Sequence, residues 1–229
     1  MKTSSSGEDN TPHEKAANEQ TPREAETSPS RRNQSNGDMY TVEEIKGLPT
    51  YRRWSDMPRL DRWIQEFVGV VPQYLQGGGD HCLLLDTRGP RCYVAASVVT
   101  VTRHIAAHYG LTNLQAWHEA FLGRRLAGHI PMPDIGDALA AIKTRTPKYP
   151  NDGSRGFIAI GQIASIRAVA KGESVMRLEG SGYEIPALVS KATCQQHCNE
   201  ADVFRLQLVH KELIPPPSTP RGRWDPRYI

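Results

Sequence analysis

Apolar side chains are nearly missing from the start of the chain: between Lys2 and Asp38 only Ala16, Ala17 and Ala25 qualify. Ordering a backbone costs roughly 1–2 kcal/mol per residue. Three methyl groups cannot offset that, so residues 1–38 are expected to form a disordered polar tail. The chain also lacks the basic start and apolar run of a secretory signal, and nowhere approaches the roughly 20 apolar residues of a membrane span. It is therefore expected not to be secreted or inserted. Cysteine is sparse, four in 229 residues, which argues for free thiols or a metal rather than a disulfide framework. No internal repeat is visible. A phosphate-binding loop is missing too, because Gly77-Gly78-Gly79 is not followed by Lys-Ser/Thr.

What remains is long enough for one core. The tail holds five basic and seven acidic residues, so of the overall +3 charge residues 39–229 carry +5. Such a modest excess is compatible with contacts to phosphate or anionic lipid. Leu60, Trp63, Ile64, Phe67 and Val71 recur at helical spacing. His81–Leu85 reads as a short buried strand. Val94, Val98, Val101 and Ile105 line one face of a helix from about Tyr93 to Tyr109, closed by Gly110. A second helix follows the capping pair Thr112 and Gln115, with Leu114, Trp117 and Phe121 inward. A third groups Ile135, Leu139 and Ile142. From Gly156 the pattern turns to strands at 156–160, 163–170, 174–178 and 183–189, and a last one at 203–210 from the alternation of Phe204, Leu206 and Leu208. Helices first and strands afterwards predict an α+β fold. In it, N-terminal helices pack on a mainly antiparallel sheet over residues 39–213, with a Pro/Arg-rich extended tail from 214.

Four groups of residues bear on function. Cys92 is expected at the start of the first long helix, where unpaired N–H groups lower a thiol's pKa. Papain-like proteases place their nucleophile in this way, and viral leader proteases follow it with an aromatic residue, as Tyr93 does here. The partner base would be His210, with Asp225 as a remote orienter. The alternative is a small buried side chain. Cys194-Gln195-Gln196-His197-Cys198 gathers three metal-capable residues that Cys82 or His81 would have to complete, and the second pair usual for zinc is not evident. His104 and His108 stand one helical turn apart without the glutamate of a metalloprotease motif, and His118-Glu119 lacks that motif's second histidine. No cofactor or metal is expected. Arg52-Arg53 and Arg124-Arg125 are basic pairs able to touch phosphate or anionic headgroups. Finally, Pro217-Ser218-Thr219-Pro220 resembles the short proline motif by which viral matrix and Gag proteins recruit host budding factors, with Thr219 where alanine is usual.

The stretch from Leu83 to Pro133 orders a strand, a turn, a helix containing Arg103-His104-Ile105, a second helix over 114–126, and the exit Gly128-His129-Ile130-Pro131. This layout is similar to the matrix proteins of rhabdoviruses. The resemblance implies a non-enzymatic structural protein that bridges nucleocapsid and membrane, found in the virion and at the membrane of the host cytoplasm. Its partners would be nucleocapsid or RNA, an anionic membrane surface, host budding factors and further copies of itself. Here the tail is acidic where the family's is lysine-rich, and Pro-Pro-x-Tyr is missing. A papain-like protease using Cys92 and His210 is the alternative, and an RNA-binding coat or accessory protein the second alternative.

Overall fold

The structure, a computed structural model, describes residues 45–75, 79–123, 128–150 and 152–216. The tail 1–38 and the pair Arg124-Arg125 lie outside the described residues, as do Pro217, Ser218, Thr219, Pro220 and Asp225. Strands β1 (Thr50–Tyr51), β2 (Phe67–Tyr74), β3 (Asp80–Asp86) and β4 (Gly89–Val94) come first, before any α-helix of the described residues. Helices α1 (Val98–His108) and α2 (Leu114–Leu122) follow. Then come β5 (Ile130–Met132), β6 (Asp137–Lys143), β7 (Arg155–Ala159), β8 (Ile163–Ala170), β9 (Glu173–Leu178), β10 (Glu184–Ala187) and the long α3 (Lys191–His210). Seven strands form one sheet in the order β1-β4-β3-β2-β7-β6-β5, mixed because β1 runs parallel to β4. Strands β10-β9-β8 form a second, antiparallel sheet.

This overturns the expected arrangement of N-terminal helices on a mainly antiparallel sheet. Two expected helices are strands, for one physical reason. The larger sheet is buried on both faces, so its strands read as continuous apolar runs instead of alternating ones. In β2, Phe67 and Val70 enter one hydrophobic cluster, while Val68 and Val71 enter the other. The helix expected from Leu60 to Val71 is accordingly two short 3-10 turns followed by a strand. In β6, Leu139 and Ala141 face one side and Ala138, Ala140 and Ile142 the other. That pattern also mimicked a helix. Residues 203–210, expected as a strand, are the last turns of α3. Cys92 likewise lies within β4, and α1 starts only at Val98, capped by the Ser97 hydroxyl accepting from the Thr100 N–H.

One cluster holds the inner side of α1 together with Trp63, Leu84, Phe157, Phe204 and Leu208. The second lies between the two sheets and holds Leu83, Leu85, Ile142, Met176, Ile185, Cys194 and Cys198. Helix α3 therefore serves both, its first half in the second cluster and its second half in the first. Close approach of β2 to β7 explains Gly69. A Cβ there would stand 2.7 Å from the Phe157 carbonyl oxygen, closer than side chains tolerate.

One end of the larger sheet is fixed by a buried guanidinium. Arg145 is 4% exposed; its Nη2 donates to Asp80 Oδ1 at 2.5 Å and its Nε to the Gly153 carbonyl at 2.6 Å. Its Cζ lies 4.1 Å from the ring centre of Tyr74, whose hydroxyl hydrogen-bonds Asp152. Removing one partner of a buried pair leaves the other charge uncompensated. Asp80→Ala is expected to lower unfolding stability by about 3 kcal/mol, read as a shift of the urea midpoint at constant slope. A loss under about 0.5 kcal/mol, the size of a surface change, would show that water replaces the carboxylate.

Candidate functional site

Four side chains from three elements meet where α2, α3 and the β5–β6 edge converge. His118 is the buried residue of α2, His129 immediately precedes β5, and His197 and Glu200 stand one turn apart on α3. His118 packs between Phe204, with ring centres 4.1 Å apart, and the backbone at Gly128. A Cβ on Gly128 would fall 1.2 Å from the His118 ring, so only glycine lets chain and ring lie in contact. His118 hydrogen-bonds the His129 backbone, and its Nε2 is buried with no partner among the described residues.

The His129 ring takes a place in the sheet. Just before β5 begins, its Nδ1 accepts from the Ala141 N–H of β6 at 3.3 Å. A nitrogen that accepts carries no proton, so the ring's proton sits on Nε2. That atom faces Glu200 Oε2 at 3.7 Å, and His197 Nδ1 lies 3.7 Å from the same oxygen. The other oxygen, Oε1, accepts from Gln196 Nε2 at 2.9 Å. A carboxylate is thus held between two imidazoles.

Two histidines and a glutamate are a ligand set zinc accepts, and their ligand atoms lie within 4.8 Å of one another. Around a zinc ion neighbouring ligand atoms stand about 3.4 Å apart. Ligation through His129 Nε2 would also drive its proton onto Nδ1, against the Ala141 N–H, whereas a metal-bound imidazole needs an acceptor there. The cluster instead sets the Glu200 carboxylate of α3 against the His129 ring at the sheet edge, an electrostatic contact at 3.7 Å. Beside it, a cleft of about 530 Å³ opens between α1 and α2 over Ile130 and Phe157, with His118 in its wall.

The residues singled out by sequence fall elsewhere. Cys92 is 2% exposed, and burial pushes its thiol up to about 11, the reverse of an activated nucleophile. His210 is exposed at the end of α3, and no hydrogen bond joins the two. Cys194 and Cys198 point into the core and hydrogen-bond each other, which together with burial holds the Cys198 thiol well above its usual range. His197 turns away from them toward His129. Cys82 belongs to the opposite hydrophobic cluster, where its thiol donates to the Ala96 carbonyl, so it does not join the metal-capable residues of 194–198. Arg52 and Arg53 are exposed between β1 and the turn Trp54–Asp56. The one signal for the cluster was the spacing of His197 and Glu200, which reads as a pair only once that segment is known to be helical.

Among known proteins, no family model, curated protein or solved structure matches the chain.

Desolvation lowers His118 from 6.5 to about 4, opposed by its hydrogen bond to the His129 backbone. His129 is also lowered to about 4, by desolvation first and then by His118, against the pull of Glu200. Both are thus neutral when folded and protonate near 6.5 when unfolded. Stability should be full above about pH 6.5, fall as the unfolded chain takes up protons, and reach its floor near pH 4. At about 1.4 kcal/mol per pH unit, each imidazole contributes a loss of roughly 3 kcal/mol. Urea unfolding across this range checks it. His118→Gln should flatten the curve by about one such share, and an unchanged curve would assign the titration to other groups. Cys92 should react with iodoacetamide far more slowly in the native protein than a free thiol does; an equal rate would reopen the protease alternative.

Proposed function

We propose that the chain is a non-enzymatic structural protein of the viral matrix type. It would link nucleocapsid or RNA to an anionic membrane surface in the virion and at the host membrane, assembling with copies of itself. One observation carries this reading: four exposed arginines border a fixed aromatic cluster, and none is in an ion pair among the described residues.

The rings come first. Trp54 stacks on His104 of α1 with centroids 4.8 Å apart and planes 2° from parallel, and meets Trp63 at 6.2 Å. Trp63 is anchored by its Nε1–H to the Pro58 carbonyl at 3.0 Å. Arg52 and Arg53 lead into Trp54, Arg62 precedes Trp63, and Arg103 precedes His104; all four are exposed. By contrast Arg59, Arg88, Arg91, Arg145, Arg167 and Arg205 each face a carboxylate. A guanidinium without a carboxylate, carried on a backbone fixed by packed rings, is available to the oxygens of phosphate. Arg62 and Arg103 thus join Arg52 and Arg53 in the basic surface proposed from sequence. Arg124-Arg125 and the budding segment Pro217–Pro220 remain part of the proposal on sequence grounds. Among the described residues no helix is long and apolar enough to cross a membrane, so attachment through this surface would be peripheral.

Flotation of the full chain with anionic and neutral vesicles, at low and high salt, tests the reading. Binding to anionic vesicles that fades in salt is expected. At about 1 kcal/mol for each arginine, the double change Arg52→Ala and Arg53→Ala should weaken it roughly 30-fold. Salt-sensitive RNA binding with no flotation under any condition would favour the coat or accessory protein instead.

A further inference from the structure

We propose that the outward face of α3 is a self-association surface through which two copies of this chain pair about a two-fold axis, helix antiparallel to helix. The proposal deepens the structural-protein reading by naming where copies meet.

The side chains of α3 sort cleanly. Cys194, Cys198, Ala201, Phe204 and Leu208 are buried. Ala192, Gln196, Asn199, Val203, Leu206 and His210 are exposed, at alternating steps of four and three residues. That spacing makes one straight stripe along a helix about 30 Å long and is the spacing of a coiled-coil seam. The stripe contains no carboxylate, ammonium or guanidinium, although the solvent side of a helix usually carries them. The neighbouring charges are turned aside: Glu200 faces His129 and His197, and Asp202 pairs with Arg205 at 2.6 Å. Val203 and Leu206 are 47% and 45% exposed. Beside them a shallow groove of about 420 Å³ runs between Leu122, Ala192 and Val203, with Gln195, Asn199 and Glu200 also in its lining.

Three features favour a second copy as the occupant. In a two-fold contact each patch meets itself, so a charged stripe would repel its own image and a neutral one does not. Beyond its bond to Glu200 the Gln196 amide keeps a second N–H to donate and a carbonyl to accept, which lets like meet like, and a single polar seam position of this kind sets register in paired helices. Projecting Leu206 and the groove lie on the same face, so each copy offers what the other needs. A lipid surface fits less well, because an interfacial helix carries Lys and Arg on its polar face. The helix covers only about 30 by 10 Å, or roughly 600 Å² over both copies. That is below the size of standard stable interfaces. The pairing is therefore weak in isolation and gains strength when many copies are held together.

The test uses the full chain. Val203→Cys, near the middle of the stripe, should form a disulfide-linked dimer under oxidised glutathione. The native Cys82, Cys92, Cys194 and Cys198 are buried and should not compete. Val169→Cys, on β8 and 37% exposed, is the control. Leu206→Glu should weaken self-association at least tenfold by sedimentation with helix content unchanged; if that variant fails to fold, Asn199→Lys replaces it. Cross-linking of Val203→Cys no faster than the control, or unchanged sedimentation of the charged variant, overturns the pairing. So does a Leu206→Glu protein that loses vesicle binding while wild type stays monomeric. Pairing without any flotation would uphold this surface and overturn the anionic-membrane reading. Flotation without pairing would do the reverse.

Discussion

Strands β2, β3 and β6 have no side that faces water, and the remaining architecture answers that constraint. A sheet with two apolar faces needs a layer on each. Helices α1 and α2 cover one face, and the three-stranded sheet with the first half of α3 covers the other. Because α3 crosses from one hydrophobic cluster to the other, it ties the two layers together. Its position at the β5–β6 edge is fixed by His129, which completes the strand ladder with a ring nitrogen in place of a backbone carbonyl.

Parts of this were legible in the sequence and parts were not, according to how many faces a segment buries. The expected strands at 163–170 and 174–178 correspond to β8 and β9, where turns punctuate short runs and much of β8 is exposed. The helix through Val98, Val101 and Ile105 also followed its one-sided periodicity. Residues 67–71 and 137–142 defeated the same reasoning, because apolar side chains that point to both sides of a sheet fall on helical spacing by chance. At 203–210 the error ran the other way. Phe204 and Leu208 lie one helical turn apart facing inward while Leu206 faces out, and together they imitate the alternation of a strand. The histidine cluster was harder still, since its members come from α2, the β5 lead-in and α3 and meet only in the folded chain.

Environment separates residues that looked alike in the sequence. Most of the arginines tied to carboxylates serve the fold, Arg145 above all, whereas Arg52, Arg53, Arg62 and Arg103 have no carboxylate partner among the described residues. The four cysteines are uniformly buried, so their chemistry is that of small apolar groups with weak hydrogen bonds. The imidazoles divide as well: His118 and His129 are enclosed, while His104 and His210 lie at the surface.

Between α2 and β5 the spacing is that of a single flat ring. His118 lies directly on the backbone at Gly128, with Phe204 of α3 beyond it. A ring is as incompressible as any part of a close-packed interior, so displacement of any one layer is passed to the next. The imidazole thus acts as a spacer plate between a helix and the edge of a sheet. A push on the outer surface of α3 would be felt at the mouth of the cleft between α1 and α2, although no side chain of α3 lines it.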